Sequence, residues 1–459
     1  MNRLNKIAFF LICATVVVTT LLYGTVHQPI LALFYLMVTA LLLLWAIEYL
    51  VTGTLRYSRH LLQLPLVLFG IYALIQTIPF GTITDSGGVS GISRTISLEP
   101  FATNVTALHI FALAVFFSLT LVYLDTAARL SRMVTVIMIF GFVYAFFGIL
   151  QSMLSPDKIY GLYKPQSTPF GTFVNRHNFA ALIEMAVSIP LGLLFTGAVR
   201  RDKRLLYVIA IALMGASLLL SGSRGGLIAL LSAIIFLVII TSRARGRKNL
   251  ILKAGLSLLL VIAAVGGAIF VGGETSLTRA AESLTTEQAG TNRTHIWGVT
   301  LKMIGDSLPL GAGIGAYSVA YTRHDTAGGF ERVDQAHNDY LQVLADAGIP
   351  GLLIGVFFLF LLFREGIRNV SVANTFRRGV ASGAFAGCFA ILIHSIFDFV
   401  LHVTAISVMF LTLIAMLVAA GRKYDDDTDE FDEPHPKRRR SASVTAIADS
   451  TRRRSRARS

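Results

Sequence analysis

Two arginines and a histidine stand out because each sits where an apolar run breaks, and a charged group at the edge of a membrane span is costly enough to need a reason. Arg224 lies in Ser221-Gly222-Ser223-Arg224-Gly225-Gly226, a polar break between two apolar runs. Glycines and serines there expose backbone donors and let a ligand come close, and a guanidinium is a planar fork that matches phosphate oxygens. An arginine snorkelling from a helix end is the competing account. Arg293 lies in Thr291-Asn292-Arg293-Thr294-His295-Ile296-Trp297. The spacing predicts a helix capped by Asn292 or Thr291, with Ile296, Trp297, Thr300, Leu301 and Ile304 at helical intervals. An arginine in the first turn opposes the helix dipole, so a partner accounts for it better than helix stability does. His337 and Asn338 open another apparent helix, His337-Asn338-Asp339-Tyr340-Leu341-Gln342. A histidine at a water–membrane boundary can accept a proton at neutral pH, and Asp334 and Asp339 are near enough in sequence to orient it.

Further polar groups interrupt the apolar pattern. Arg176, His177 and Asn178 close the run that begins at Pro169, and Glu184 follows inside an otherwise apolar stretch. His394, Asp398 and His402 are spaced by four and fall on one helical face, where Asp398 could pair with one of the arginines. At 1.5 Å per residue such a trio spans about 12 Å, too far to share one metal, so an orienting hydrogen-bond stripe is the better reading. No HExxH, paired cysteines or Asp-x-Asp cluster appears, and no metal is expected. Leu310-Gly311-Ala312-Gly313-Ile314-Gly315 lacks a surrounding βαβ pattern, so it is a tight turn, one that could also admit a substrate to the backbone, and not a dinucleotide fingerprint.

The elements that must position these groups are membrane helices. The chain has 459 residues, 54% hydrophobic and 14% charged, against about 25% charged in a soluble domain. Cys13 and Cys388 lie far apart in apolar runs, so no disulfide framework is expected. Twelve runs are long enough to cross a bilayer, at about 7–24, 29–50, 61–80, 104–124, 133–154, 178–198, 205–221, 224–242, 250–272, 348–363, 379–397 and 401–420. The first reads as a retained span, since no cleavage site follows it. With the N-terminus cytoplasmic, inside segments carry 19 basic residues and outside segments 10, as the positive-inside rule asks. Both chain ends are then cytoplasmic, and the polar groups above lie on the outer face. The expected division is helices 1–9 in 1–272, a large folded outer loop in 273–347, helices 10–12 in 348–420 and a disordered charged tail in 421–459. The tail alternates an acidic block with two basic clusters and cannot bury a core; contact with anionic headgroups is the sharper expectation for it.

Taken in order, SGSRGG, NRTHIW, LPLGAGIGAY and HNDYLQ followed by AGIPG resemble the O-antigen ligase and Wzy-type polymerase family, and the GTFVNRHN and HSIFDF runs are similar to further family features. The resemblance covers about 170–400; the long charged tail departs from it. It implies an all-α, GT-C-like membrane enzyme of the bacterial inner membrane. Such an enzyme acts at the periplasmic face on a glycan linked to undecaprenyl diphosphate and needs neither metal nor nucleotide cofactor. It implies diphosphate-binding roles for Arg224 and Arg293 and activation of an acceptor hydroxyl by His337. Arg176, His177, Asn178, Asn338, Asp398 and His394 are the remaining candidates for substrate contact. The expected reaction inverts the sugar carbon and moves the glycan to a growing glycan, a lipid A-core or a protein hydroxyl; nucleic acid is not an expected partner. A flippase or transporter of the same lipid-linked oligosaccharide is the rival. It fits less well, because the polar groups crowd one face of the second half and no internal repeat is visible.

Overall fold

The computed structural model describes residues 3–83, 91–242, 255, 258, 288–326 and 332–424. The protein is an all-α, multi-pass membrane protein. Its helices are α1 (Arg3–Leu21), α2 (Gln28–Thr52), α3 (Leu64–Gln76, entered by a 3-10 turn from Leu61), α4 (Pro100–Tyr123), α5 (Ala127–Leu154), α6 (Arg176–Thr196), α7 (Arg204–Leu220), α8 (Arg224–Ser242), α9 (Gln288–Ser307), α10 (Tyr317–Thr322), α11 (Asp339–Asn369), α12 (Thr375–His394) and α13 (Thr404–Ala420). A two-stranded antiparallel pair, Thr82–Ile83 with Ile92–Ser93, and isolated bridges at Ile159–Tyr163 and Phe170–Phe173 interrupt the helical pattern among the described residues. Nine of the described segments are long and apolar enough to cross a membrane, and Leu61–Gln76 and Thr404–Ala420 are shorter apolar helices. Eleven of the twelve expected runs thus have a helix. The run at 250–272, apart from residues 255 and 258, and the tail from 425 lie outside the described residues.

The helices sort by what surrounds them. Along α2, Leu36, Leu43, Leu50 and Val51 are exposed, as lipid-facing side chains should be. By contrast α6 is almost wholly buried and forms the centre of the bundle. Its partner is α12, where Gly379, Gly383 and Gly387 recur every fourth residue. Between helices in lipid, small residues let backbones approach where no hydrophobic drive exists. A Cβ on Gly192 of α6 would collide with the backbone of Gly383, and one on Gly383 with the Ser188 carbonyl. The antiparallel crossing, continued two turns along, brings His394 at the end of α12 to Glu184 in α6.

Residues 288–326 and 332–347 close a small core of their own from Ile296, Val299, Met303, Ile304, Tyr317, Tyr321 and Ala336. Here the sequence expectation needs two corrections. The α9 helix begins at Gln288, a turn before Thr291 and Asn292, so Arg293 is not in its first turn and Asn292 does not cap it; Gln288 and Ala289 are good helix formers and extend it. Leu301 is 58% exposed, because the buried face runs through Ile296, Val299, Thr300, Met303 and Ile304, the i, i+3, i+4, i+7 set.

Candidate functional site

The segment before α11 is pinned on both sides of His337. Trp297 Nε1 donates to the Ala336 carbonyl at 3.0 Å, and the Ala336 N–H donates to Gln342 Oε1 at 2.7 Å. On the other side Asn338 Oδ1 caps α11, accepting from the Tyr340 and Leu341 N–H groups at 3.0 Å each. The Asp339 N–H donates to the Ser395 carbonyl at 2.9 Å. Between these anchors His337 takes a φ of +50°, a left-handed conformation that costs a residue with a Cβ about 1–3 kcal/mol and persists only where the surroundings over-determine it.

His337 Nδ1 lies 3.0 Å from Asp398 Oδ1, and its ring packs edge-on against Phe399 with centroids 4.8 Å apart. A carboxylate accepts, so Nδ1 donates, and in the neutral ring Nε2 then holds the lone pair. Asp398 also accepts from the Phe399 N–H at 2.9 Å, and its Oδ2 is 3.5 Å from Arg293 Nη2. Burial would by itself raise the Asp398 carboxyl, but the hydrogen bond from His337 and the charges of His177, His337 and Arg293 hold it well below the usual carboxylate range. Asp398 is 3% exposed while His337 and Arg293 each keep 31% of their side chain open. A buried carboxylate therefore holds two groups that face outward.

The neighbouring Asp339 does other work. It accepts from Ser395 Oγ at 2.8 Å and from the Leu401 N–H at 3.2 Å, and it lies 2.9 Å from His402 Nδ1. Burial opposes protonation of His402, but the hydrogen bond and charge of Asp339 raise it. Asp334 pairs with Arg332 at 2.8 Å. Neither aspartate orients His337, which corrects the sequence expectation: Asp398 does so, from sixty-one residues away. The proposed stripe of His394, Asp398 and His402 does not exist as one face either. The α12 helix stops at His394, the chain turns, and a 3-10 turn follows at Val400–His402. The three side chains then part, His394 to Glu184, Asp398 to His337 and Arg293, and His402 to Asp339.

The SGSRGG turn wedges between the start of α6 and the end of α12. Ser223 Oγ accepts from the Gly226 N–H at 3.2 Å, capping α8, and lies 2.9 Å from His177 Nδ1. A Cβ at Gly222 would stand 3.4 Å from Arg176 Nη1, and one at Gly225 3.0 Å from His394 Cδ2. His394 is fully buried with both Glu184 oxygens 3.2 Å from its Nδ1. Its Nε2 has no hydrogen-bond partner among the described residues. Arg224, at the first position of α8, is exposed and makes no hydrogen bond or ion pair among the described residues. His177 feels the charges of Asp398, Arg293, Arg176 and His394, so these groups share one electrostatic neighbourhood.

Of the residues singled out from sequence, His337, Arg293, Asp398, Arg176, His177 and His394 therefore gather, with Arg224 on the adjoining turn. Asn338 serves as a helix cap and Asn178 is buried in the first turn of α6. The glycines of LGAGIG make their close approaches to protein, not to an open cleft. Gly311 abuts the Asp346 backbone, Gly313 abuts Ser97 and Gly315 abuts Thr106. Gly348, with φ +57° and ψ −148°, breaks α11 against the Pro309 carbonyl, a conformation open essentially to glycine alone. Sequence reasoning missed Gln76, which ties this region to α3. It donates to the Leu310 and Asp346 carbonyls at 3.0 Å and accepts from the Ile314 N–H at 2.9 Å. An amide at the end of an apolar run was the available signal.

Among the described residues no three His, Cys, Asp or Glu side chains converge so as to hold a metal ion. What converges is a histidine with a free ring nitrogen and guanidinium groups, which suits proton transfer beside an anion. Fold and site thus define a multi-pass membrane protein with an arginine–histidine centre at one end of its bundle. Residues 209–356 match the family model described as O-antigen ligase, about a third of the chain, and no curated protein was found to match it. That segment is therefore similar to the domain of the O-antigen ligase family, which supports a membrane protein of the glycan ligase and polymerase type. Arg224, Arg293 and His337 fall inside the matched segment, whereas Asp398, which binds two of them, lies beyond its end.

Proposed function

We propose that the protein transfers a glycan from undecaprenyl diphosphate to an acceptor hydroxyl at the periplasmic face of the bacterial inner membrane, with inversion and without a metal. The observation that carries this reading is the single carboxylate of Asp398 holding both His337 and Arg293. His337 Nε2 takes the proton of the acceptor hydroxyl as that oxygen bonds to C1 of the donor sugar. The C1–O bond to the diphosphate breaks on the opposite side, and the leaving group departs with the electron pair. Arg293 and Arg224 meet the charge that grows on it, with Arg176 and His177 beside them. Charge that develops in the transition state is where fixed donors are worth most. A GT-C-like bundle would lodge the polyprenyl chain among its apolar helices.

The test is reconstitution of the purified protein with a lipid-linked oligosaccharide and an acceptor in detergent. Elongated or transferred glycan is expected, and it should persist in EDTA. A flippase needs two compartments and forms no product there, so absence of product would overturn the transferase reading.

The topology has its own check. The helical blocks 1–272 and 348–420 would flank an outer segment at 273–347, with the tail of 421–459 in the cytoplasm. Reporter fusions after Glu282 and after Arg422 are expected to give opposite sidedness, following the 19 to 10 basic asymmetry. Equal signals would mean an odd error in the number of spans.

A further inference from the structure

A second polar and aromatic feature lies where the loop between α5 and α6 meets the turn between α1 and α2. Tyr23, His27 and Tyr163 pack mutually edge to face, with centroids 5.4–5.6 Å apart, and Tyr160 meets Tyr23 at 5.9 Å. Tyr160 and Tyr163 are 41% and 39% exposed. The backbone that holds them is unusual. Tyr23, Gly24 and Thr25 all have φ near +60°, and Tyr160 and Gly161 have φ of +55° and +71°. Three non-glycine residues in left-handed conformations within one cluster is strain that folded proteins concentrate at functional sites.

The hairpin at 159–163 is firmly built. The Ile159 N–H donates to the Tyr163 carbonyl at 2.7 Å, Tyr160 Oη donates to the Leu21 carbonyl at 2.6 Å, and its N–H donates to Gln151 Oε1 at 3.2 Å. A ring that merely met the lipid interface would need none of this, since an aromatic belt asks only for amphipathic rings at the right depth.

From this arrangement we propose that Tyr23, His27, Tyr160 and Tyr163 form a saccharide-binding platform, a subsite for a sugar of the glycan away from the reacting carbon. A pyranose has a C–H face that stacks on an aromatic ring and hydroxyls that hydrogen-bond at its edge, and a cluster of phenols with an imidazole supplies both. Lys158 and Lys164 are exposed beside it. The platform is continuous with the candidate site along two routes. Its own loop runs on to Arg176 and His177, and Thr404 Oγ1 donates to the Thr25 carbonyl at 3.3 Å, two residues from the His402 that binds Asp339. The proposal rests on the transferase reading for the nature of its ligand.

The test uses the full chain, with Tyr160→Leu and Tyr163→Leu combined and the corresponding double phenylalanine variant as control. Donors are a lipid-linked glycan of one repeat and one of many repeats. The leucine variant is expected to raise KM for the many-repeat donor by about tenfold, the scale of one lost stacking contact. Its kcat and its KM for the single repeat should stay unchanged, and the phenylalanine variant, which keeps the rings and loses only the hydroxyls, should fall between wild type and the leucine variant. Unchanged KM for both donors, in a wild type that does form product, would overturn the platform. An equal fall in kcat with both donors would also overturn it, by making the rings structural. Binding is read separately by saturation-transfer NMR with the free many-repeat oligosaccharide released from the lipid. Signals in wild type that vanish in the leucine variant support the platform even if no transfer is seen, which isolates its fate from that of the transferase reading. No signal in wild type overturns it.

Discussion

Replacing His337 with alanine is expected to lower turnover by about 10²–10⁴, the range for loss of a general base, while the protein still inserts and folds. The residue is outside the apolar helices, and its neighbours are held without it. Ala336 is fixed by Trp297 and Gln342, and Asn338 caps α11 through its own side chain. Alanine carries a Cβ as histidine does and meets the same kind of penalty at a φ of +50°, so the backbone changes little. The companion variant Asp398→Asn keeps the shape but removes the charge that ties His337 to Arg293. It is expected to fall between wild type and His337→Ala, and the double variant should lose less than the product of the two single losses, since the changes share the proton transfer while Asp398 also holds Arg293. Steady-state kinetics on purified protein decide this. Near-normal turnover in His337→Ala would remove the base and leave the ring a positioning role.

The arginines give the second large effect. If Arg293 and Arg224 grip a diphosphate, a lysine offers a point charge in place of a planar fork. Arg293→Lys and Arg224→Lys should therefore both fall well below wild type, yet exceed the alanine variants, which should lose about 10²–10³, the scale of one missing donor to a developing anion. The double alanine variant should lose less than the product of the two single losses, because groups that hold one ligand act as a unit. Arg293 has a further reason to be sensitive, since it shares Asp398 with His337. Arg224 has no partner among the described residues that would explain it as a structural ion. Full activity in both lysine variants would end the clamp reading and return Arg224 to a snorkelling helix end.

Much of this was legible in the sequence. Hydropathy located every described membrane helix, because lipid demands apolar length from each one in isolation. The polar breaks around Arg176, Arg224, Arg293 and His337 stood out for the same reason. What composition and spacing could not give was partnership across elements. Asp334 and Asp339 are nearer to His337 in sequence than Asp398 is, yet the turn after His394 delivers Asp398 to the ring and sends Asp339 to His402. That turn also dissolved the helical stripe, since i, i+4 spacing means one face only while the helix lasts. The glycines of LGAGIG were ambiguous by nature. A residue chosen for close approach looks the same whether the approaching group is a ligand or, as with Asp346 and Ser97, another part of the protein.

The glycine crossing of α6 and α12 constrains how any substrate arrives. Where Gly192 meets Gly383 the two backbones touch with no side chain between them, so at that crossing there is no rotamer to turn and no flexible layer to yield. Parting it would break contact along its whole length and pull His394 from Glu184 at its end. The two helices move as one block or not at all. A lipid-borne donor would therefore have to reach the site by a lateral doorway around this block, between outer helices whose exposed leucines and isoleucines can exchange one hydrocarbon neighbour for another.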